Sequence, residues 1–158
     1  MITLSSHSNR NRRSHGLLLL VLLIACLILP HSCVENNEMS FDAVTEAFHA
    51  DFDTIDAAVK SGQHTDAAAL PWIDSVSPSE NYVEFYCGGS GIGSQTNYTG
   101  FFFTPDDDPF AMWPDSAALF VETAEGWEYR ERDHNPGGDN LFRSRKLAPY
   151  YYYFYTHF

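Results

Sequence analysis

Cysteine is scarce in this 158-residue chain: Cys26, Cys33 and Cys87 are the three, and only Cys87 lies far from the front. No disulfide framework can be built from them, and a Cys33–Cys87 bridge requires an unmodified Cys33. Positive charge is scarce as well. Beyond residue 33 stand six basic side chains (Lys60, Arg130, Arg132, Arg143, Arg145, Lys146) against all 21 acidic ones, a formal charge of −15. Such a field repels phosphate backbones, which excludes nucleic-acid binding, and it repels anionic membrane surfaces too. The bland meaning of the charge is solubility outside the cell; the sharper one is a cationic partner or a divalent cation. Long apolar runs are absent: the longest, Leu17–Leu29, has 13 residues, short of the roughly 20 that span a bilayer as a helix. No internal repeat is present. His49, His64, His134 and His157 show no His-x-x-x-His or Cys-x-x-Cys spacing, so neither a zinc site nor any cofactor is expected.

What the front does contain is an export layout. Arg10, Arg12 and Arg13 precede the apolar run, and polar chain resumes after Pro30. A positive segment, a short apolar core and a small-residue zone form a signal peptide. Leu23-Ile24-Ala25-Cys26 matches a lipobox, although Cys26 lies inside the apolar run; Cys33 follows the run, but its preceding Pro30-His31-Ser32 is a poor lipobox. Three outcomes stand open: lipidation at Cys26 or Cys33, plain cleavage near Ser32, or an uncleaved anchor. Export to the cell surface or beyond is common to all three. Residues 1–33 are thus read as signal or anchor, 34–39 as a linker, and 40–158 as one globular domain.

All 24 aromatic residues lie at or beyond Phe41, a density that favours a packed β-rich domain over disorder. From Ser40 to Ser61 the apolar residues Phe41, Val44, Phe48, Phe52, Ile55 and Val59 recur at spacings of three and four, which predicts one amphipathic helix with Ser40 as N-cap and Gly62 as terminator. Leu70-Pro71-Trp72-Ile73 reads as an apolar connector. The period then changes, and strands are predicted over 82–87, 98–104, 117–123, 127–132, 141–146 and 150–158, separated by glycine, proline and aspartate breakers. The fold expected is α+β, an N-terminal helix packed on an antiparallel meander of five or six strands.

Few stretches offer chemistry. Gly88-Gly89-Ser90-Gly91-Ile92-Gly93 lacks the lysine of a phosphate loop and leads to a strand rather than a helix, so it reads as a hairpin connection. Asp106, Asp107 and Asp108 form an acidic turn, with a weak cation site as the sharper reading, because EF-hand spacing is missing. Cys87 could act as a nucleophile with His134 or His157 as its base, but no protease signature surrounds it, and a buried strand-end cysteine is the plainer reading. Asn97-Tyr98-Thr99 matches a glycosylation sequon, which matters only in a eukaryotic secretory pathway. Tyr150–Tyr155 is an almost unbroken tyrosine run. It reads as a central strand covered on both faces or, more sharply, as a strand whose Tyr151, Tyr153 and Tyr155 row is exposed for binding. The odd-numbered row is expected to be the more exposed, because it continues to His157 whereas the other ends at Phe158.

The export signal, Cys-Gly-Gly-Ser-Gly at 87–91, Gly-Phe-Phe-Phe at 100–103, Gly-Gly-Asp-Asn at 137–140 and the tyrosine-rich C-terminus together resemble small exported proteins or lipoproteins of Gram-positive gut bacteria. The resemblance implies no site. Two function classes follow from the residues: a non-catalytic, membrane-tethered binding or interaction protein with a protein or small-molecule partner, or a small extracellular hydrolase using Cys87 with a histidine or a carboxylate pair.

Overall fold

Residues 38–92 and 95–158 are described by the computed structural model, and all belong to Glu35–Phe158, the second of the two units into which the chain divides. Cys26, Cys33 and the rest of the predicted signal lie outside the described residues. Ser40 caps the first helix, its hydroxyl accepting from the Ala43 N–H at 3.2 Å. The predicted single helix is two, α1 (Phe41–Ala50) and α2 (Phe52–Ser61), with Asp51 between them. Asp51 leaves helical geometry (φ −109°, ψ 13°) while its N–H still bonds to Ala47 O. Its carboxylate accepts from the Trp72 indole at 2.8 Å, a tertiary contact that the helical period does not report. The apolar stripe keeps its phase across the break. Val44, Phe48 and Ile55 are buried, and Phe41, Phe52 and Val59 pack against them. Gly62 ends α2 at φ 71°, the left-handed terminator that glycine adopts without a Cβ clash. A single turn, α3 (His64–Ala67), follows.

The sheet is fully antiparallel and has seven strands, not five or six. They are β1 (Ser75–Pro78), β2 (Val83–Ile92), β3 (Gln95–Phe103), β4 (Val121–Thr123), β5 (Gly126–Arg130), β6 (Leu141–Ala148) and β7 (Tyr151–His157). Their spatial order, β1-β2-β3-β7-β6-β5-β4, is two meanders rather than one. The C-terminal strand is inserted between β3 and β6, where a strand aromatic on both faces can bury both. The glycine stretch is not a loop: Gly88–Ile92 continues β2 through a bulge between Tyr86 and Gly89. Residues 114–119 form a 3-10 turn begun by Pro114, which leaves only Val121–Thr123 of the strand expected there.

Two layers cover the sheet. On one face α1 and α2 bury Phe85, Cys87, Phe101, Tyr151 and Tyr153. On the other, Ala111, Met112 and Trp113, from the segment after β3, pack on Phe102, Tyr152 and Phe154. No helix among the described residues is long and apolar enough to cross a membrane.

Candidate functional site: an aromatic cleft at one end of the sheet

Where α2 passes the turn between β6 and β7, a cleft of about 460 Å³ opens. Phe52, Phe103, Tyr150 and Tyr151 supply aromatic walls, Pro105 and Pro149 supply rigid ones, and Asp56 and Lys60 of α2 form a polar side. Each residue is there for a local reason. Asp56 and Lys60 lie one helical turn apart and pair at 2.6 Å. The other Asp56 oxygen accepts from the Tyr151 hydroxyl at 3.2 Å. Burial, reinforced by the Asp56 charge, pushes the Tyr151 phenol well above its ordinary pKa, so it stays a donor at neutral pH. The polar side is therefore internally neutralised: one carboxylate, one ammonium and one phenol.

The rim is held open by a strained turn. Pro149-Tyr150 is the two-residue connection of the β6–β7 hairpin, with Tyr150 at φ 71°, where glycine is the usual occupant. Among the described residues Asp107 is the other non-glycine residue with positive φ, at 52°. The two are locked together: Asp107 Oδ1 accepts from the Tyr150 N–H at 2.8 Å and the Tyr152 hydroxyl at 2.9 Å, and Oδ2 accepts from Lys146 Nζ at 2.6 Å. Thr104 N–H bonds to Tyr150 O at 2.9 Å from the same side. The hydrogen bond from Lys146, followed by those from the Tyr150 N–H and Tyr152, holds the Asp107 carboxyl below the usual carboxylate range. This revises the acidic turn. Asp107 is a latch with its oxygens already occupied, and among the described residues no three His, Cys, Asp or Glu side chains gather as metal ligands.

The expected exposed tyrosine row is overturned. Tyr151 and Tyr153 are 2% and 5% exposed, because the odd-numbered row faces α1 and α2; Tyr155 is half-buried. The register that pairs Phe101 with Tyr153 and Phe103 with Tyr151 puts this row on the helix-covered face. The exposed tyrosine at this end is Tyr150, in the turn before the strand, at 48%.

Cys87 is buried, its thiol donating to Phe85 O at 3.5 Å. Burial, with the Asp74 charge, pushes that thiol far above its ordinary pKa, the opposite of what an attacking thiolate needs. His157 is held elsewhere. Asn97 Nδ2 donates to Glu38 and Ser90, so Asn97 Oδ1 accepts from the Tyr155 hydroxyl at 3.0 Å and from His157 Nδ1 at 2.7 Å. These bonds also occupy the sequon asparagine within β3. Glu84 is the carboxyl that burial pushes up. His134 stacks on Tyr129 with ring centroids 5.8 Å apart.

Sequence reasoning missed Asp56, Lys60, Pro105, Phe103 and Tyr150 as site residues. One local signal pointed there: a Pro-Tyr pair between two strand patterns, which demands a turn and leaves the tyrosine in it. No family model, no curated protein and no solved structure matches the chain.

Proposed function

We propose that this is an exported, membrane-tethered binding module without catalytic function, and that its ligand seat is the cleft between α2 and the β6–β7 turn. One observation carries the reading: aromatic and proline walls converge on a neutralised Asp56–Lys60–Tyr151 group in a cleft of about 460 Å³. That is the make-up of small-ligand sites, largely apolar with a few placed polar groups. The ligand class that fits is a small amphiphile or short peptide with an aromatic or aliphatic body and one hydrogen-bonding end. The arginine-led apolar segment and the resemblance to small exported proteins support the location. The hydrolase reading loses its nucleophile with Cys87 buried.

Fragment screening by NMR on the folded domain tests the site. Aromatic amphiphiles should shift the amides of Lys60, Phe103, Tyr150 and Tyr151 together. Shifts confined to other surfaces, or none across such a library, would reject the cleft as the seat.

A further inference from the structure

The end of the sheet opposite the cleft has a different character. Glu38 accepts from Ser90 Oγ at 2.6 Å and from Asn97 Nδ2 at 3.3 Å, so the chain enters the domain beside the outer ends of β2 and β3. There Thr96 and Phe158 exchange two backbone hydrogen bonds of 3.1 and 3.0 Å. Three of the six exposed large hydrophobic side chains among the described residues gather at this end: Ile92 at 85%, Tyr98 at 39% and Phe158 at 39%. The pairing of Ser90 with Asn97 and Ile92 with Gln95 puts Ile92 on the Asn97 face. Tyr98 and Phe158 share the other face, their rings 6.1 Å apart. Between Cys87 and Ile92 the outer edge of β2 has no strand among the described residues beside it, since β1 pairs only as far as Tyr86. Gly88–Ile92 and Gln95–Tyr98 carry no acidic side chain, in a domain whose formal charge is −15.

We infer that this end is a lipid-facing pole, with Ile92, Tyr98 and Phe158 seated in the interfacial layer of the membrane to which the chain is tethered. The inference rests on the tethered reading above and adds an orientation to it. Four residues, Val34 to Asn37, lie between Cys33 and Glu38, at most about 18 Å of extended chain from one to the other. A lipid on Cys33 therefore holds residue 38, and the strand ends bonded to it, close to the headgroups. The β3–β7 ladder runs seven residue pairs from Asn97 to Phe103, so the cleft stands about 20 Å farther out, facing away from the bilayer. An apolar isoleucine on one face of this sheet end and two aromatic rings on the other suit a strand end set edge-on into the membrane–water boundary. The strand ends themselves carry no acidic side chain, and the carboxylate bonded to them, that of Glu38, is held by Ser90 and Asn97, so the repulsion there is weaker than over the rest of the domain.

The test uses the full chain, purified from membranes and reconstituted in phosphatidylcholine vesicles containing brominated lipid. Ile92→Trp and Glu80→Trp each add one emitter to the native tryptophans; Glu80 is exposed, in the connection beside the cleft end of β3. The added emission at position 92 should fall about twofold or more, as for a ring at the interface, and that at position 80 should hardly change. Flotation separates the two claims. A chain that floats with the vesicles but shows equal, weak quenching at both positions keeps its tether and overturns the lipid-facing pole. A chain that does not float overturns the tether and the pole together. Because Ile92 is so exposed, Ile92→Asp should fold with an unchanged melting temperature. In the Ile92→Asp background, the residual quenching of native emission should drop; no drop would also count against the pole.

Discussion

The two faces of the sheet solve the same covering problem differently. One face lies under regular helices whose stripe supplies Val44, Phe48, Ile55 and Ala58 to a cluster of eleven buried residues among those described. The other lies under the segment from Thr104 to Phe120, and among the described residues its buried hydrophobic cluster is smaller, Phe102, Ala111, Tyr152 and Phe154. What that layer lacks in helix it makes up in rings. Trp113 stacks on Phe142 at 5.6 Å, stands edge-on to Phe102 at 6.2 Å and leans on Phe120 at 5.5 Å. Large flat side chains cover area with few ordered torsions, so an irregular segment can shield a sheet if it is aromatic enough. The helical layer spreads its contribution over many residues, whereas the irregular layer concentrates it in a few rings.

The largest expected effect breaks the helical face. Phe48 touches Phe52, Phe101 and Tyr151, with centroids 5.2 to 5.4 Å away. Phe48→Asp leaves an unpaired charge among those rings and should cost about 4 kcal/mol or more. His49→Asp, one position around on the exposed side, should stay within about 0.5 kcal/mol of the parent. Urea unfolding of both variants checks the face; similar losses would mean that it is drawn wrongly.

A second variant measures the irregular layer. Truncating a buried tryptophan costs about 3–5 kcal/mol, and half-buried Trp113 should fall near the lower bound in Trp113→Ala. Loss of that one ring should weaken the cover as a unit, so the amides of residues 110–120 should also gain hydrogen exchange. A stability change within the range of surface substitutions would show that the segment rests on the sheet without holding it.

The third expectation concerns how the irregular layer is fastened, and it depends on pH. Asp107 ties the start of that layer to Lys146, Tyr150 and Tyr152, and its folded carboxyl lies below its unfolded value, first through the Lys146 bond. A depressed acid contributes stability above its unfolded pKa of about 4, and loses it as pH falls through the folded value. Lys146 is raised by the same bond, so its share is lost only as pH rises through its folded value, far from the acid window. Asp107→Asn cannot titrate, and asparagine tolerates the positive φ of 52°. The variant should be less stable near neutrality, with a shallower fall in urea midpoint below about pH 4. Parallel acid limbs for variant and parent would remove the latch from the account.

The contrast between the layers also marks what the residues alone could disclose. The stripe from Phe41 to Val59 was legible because burial by a helix imposes a period, and the period survives the break at Asp51. The break was hidden because its partner, Trp72, is a tertiary contact. β1 was hidden because Ser75-Val76-Ser77-Pro78 has one apolar residue and a proline; pairing with Val83–Tyr86 makes it a strand. Gly88–Gly91 read as a loop, yet the glycines are needed inside the ladder, where a Cβ on Gly89 or Gly91 would run into the backbone of β3. The tyrosine run was recognisable as a strand covered on both faces, but which row faces which layer is fixed by register with β3, and two terminal residues could not show that neither row is left open. Of the cleft only the Pro149-Tyr150 turn left a local trace: Asp56 meets Tyr151 across 95 residues, and no local pattern encodes such a meeting.

The smallest expected effect probes the seam where the two layers meet, at Tyr150. Its φ of 71° costs a non-glycine residue about 1–2 kcal/mol, so Tyr150→Gly relieves strain. Against that, glycine frees the unfolded chain by about 0.4–1 kcal/mol, and the ring gives up its contact with Phe103, whose centroid lies 6.4 Å away. The ring is 48% exposed, so little burial is lost, and the terms nearly cancel: stability should change by less than about 1 kcal/mol in either direction. The cleft, however, loses a wall. Tyr150→Gly should therefore keep the melt of the parent while the fragments that shift Phe103 and Lys60 bind more weakly. Tyr150→Ala carries the strain without the ring and should melt below Tyr150→Gly while binding equally poorly. If glycine at 150 proves the less stable of the two, the turn is not strained as the backbone angle states. If binding survives both changes, a tyrosine at this turn serves the fold and not the ligand.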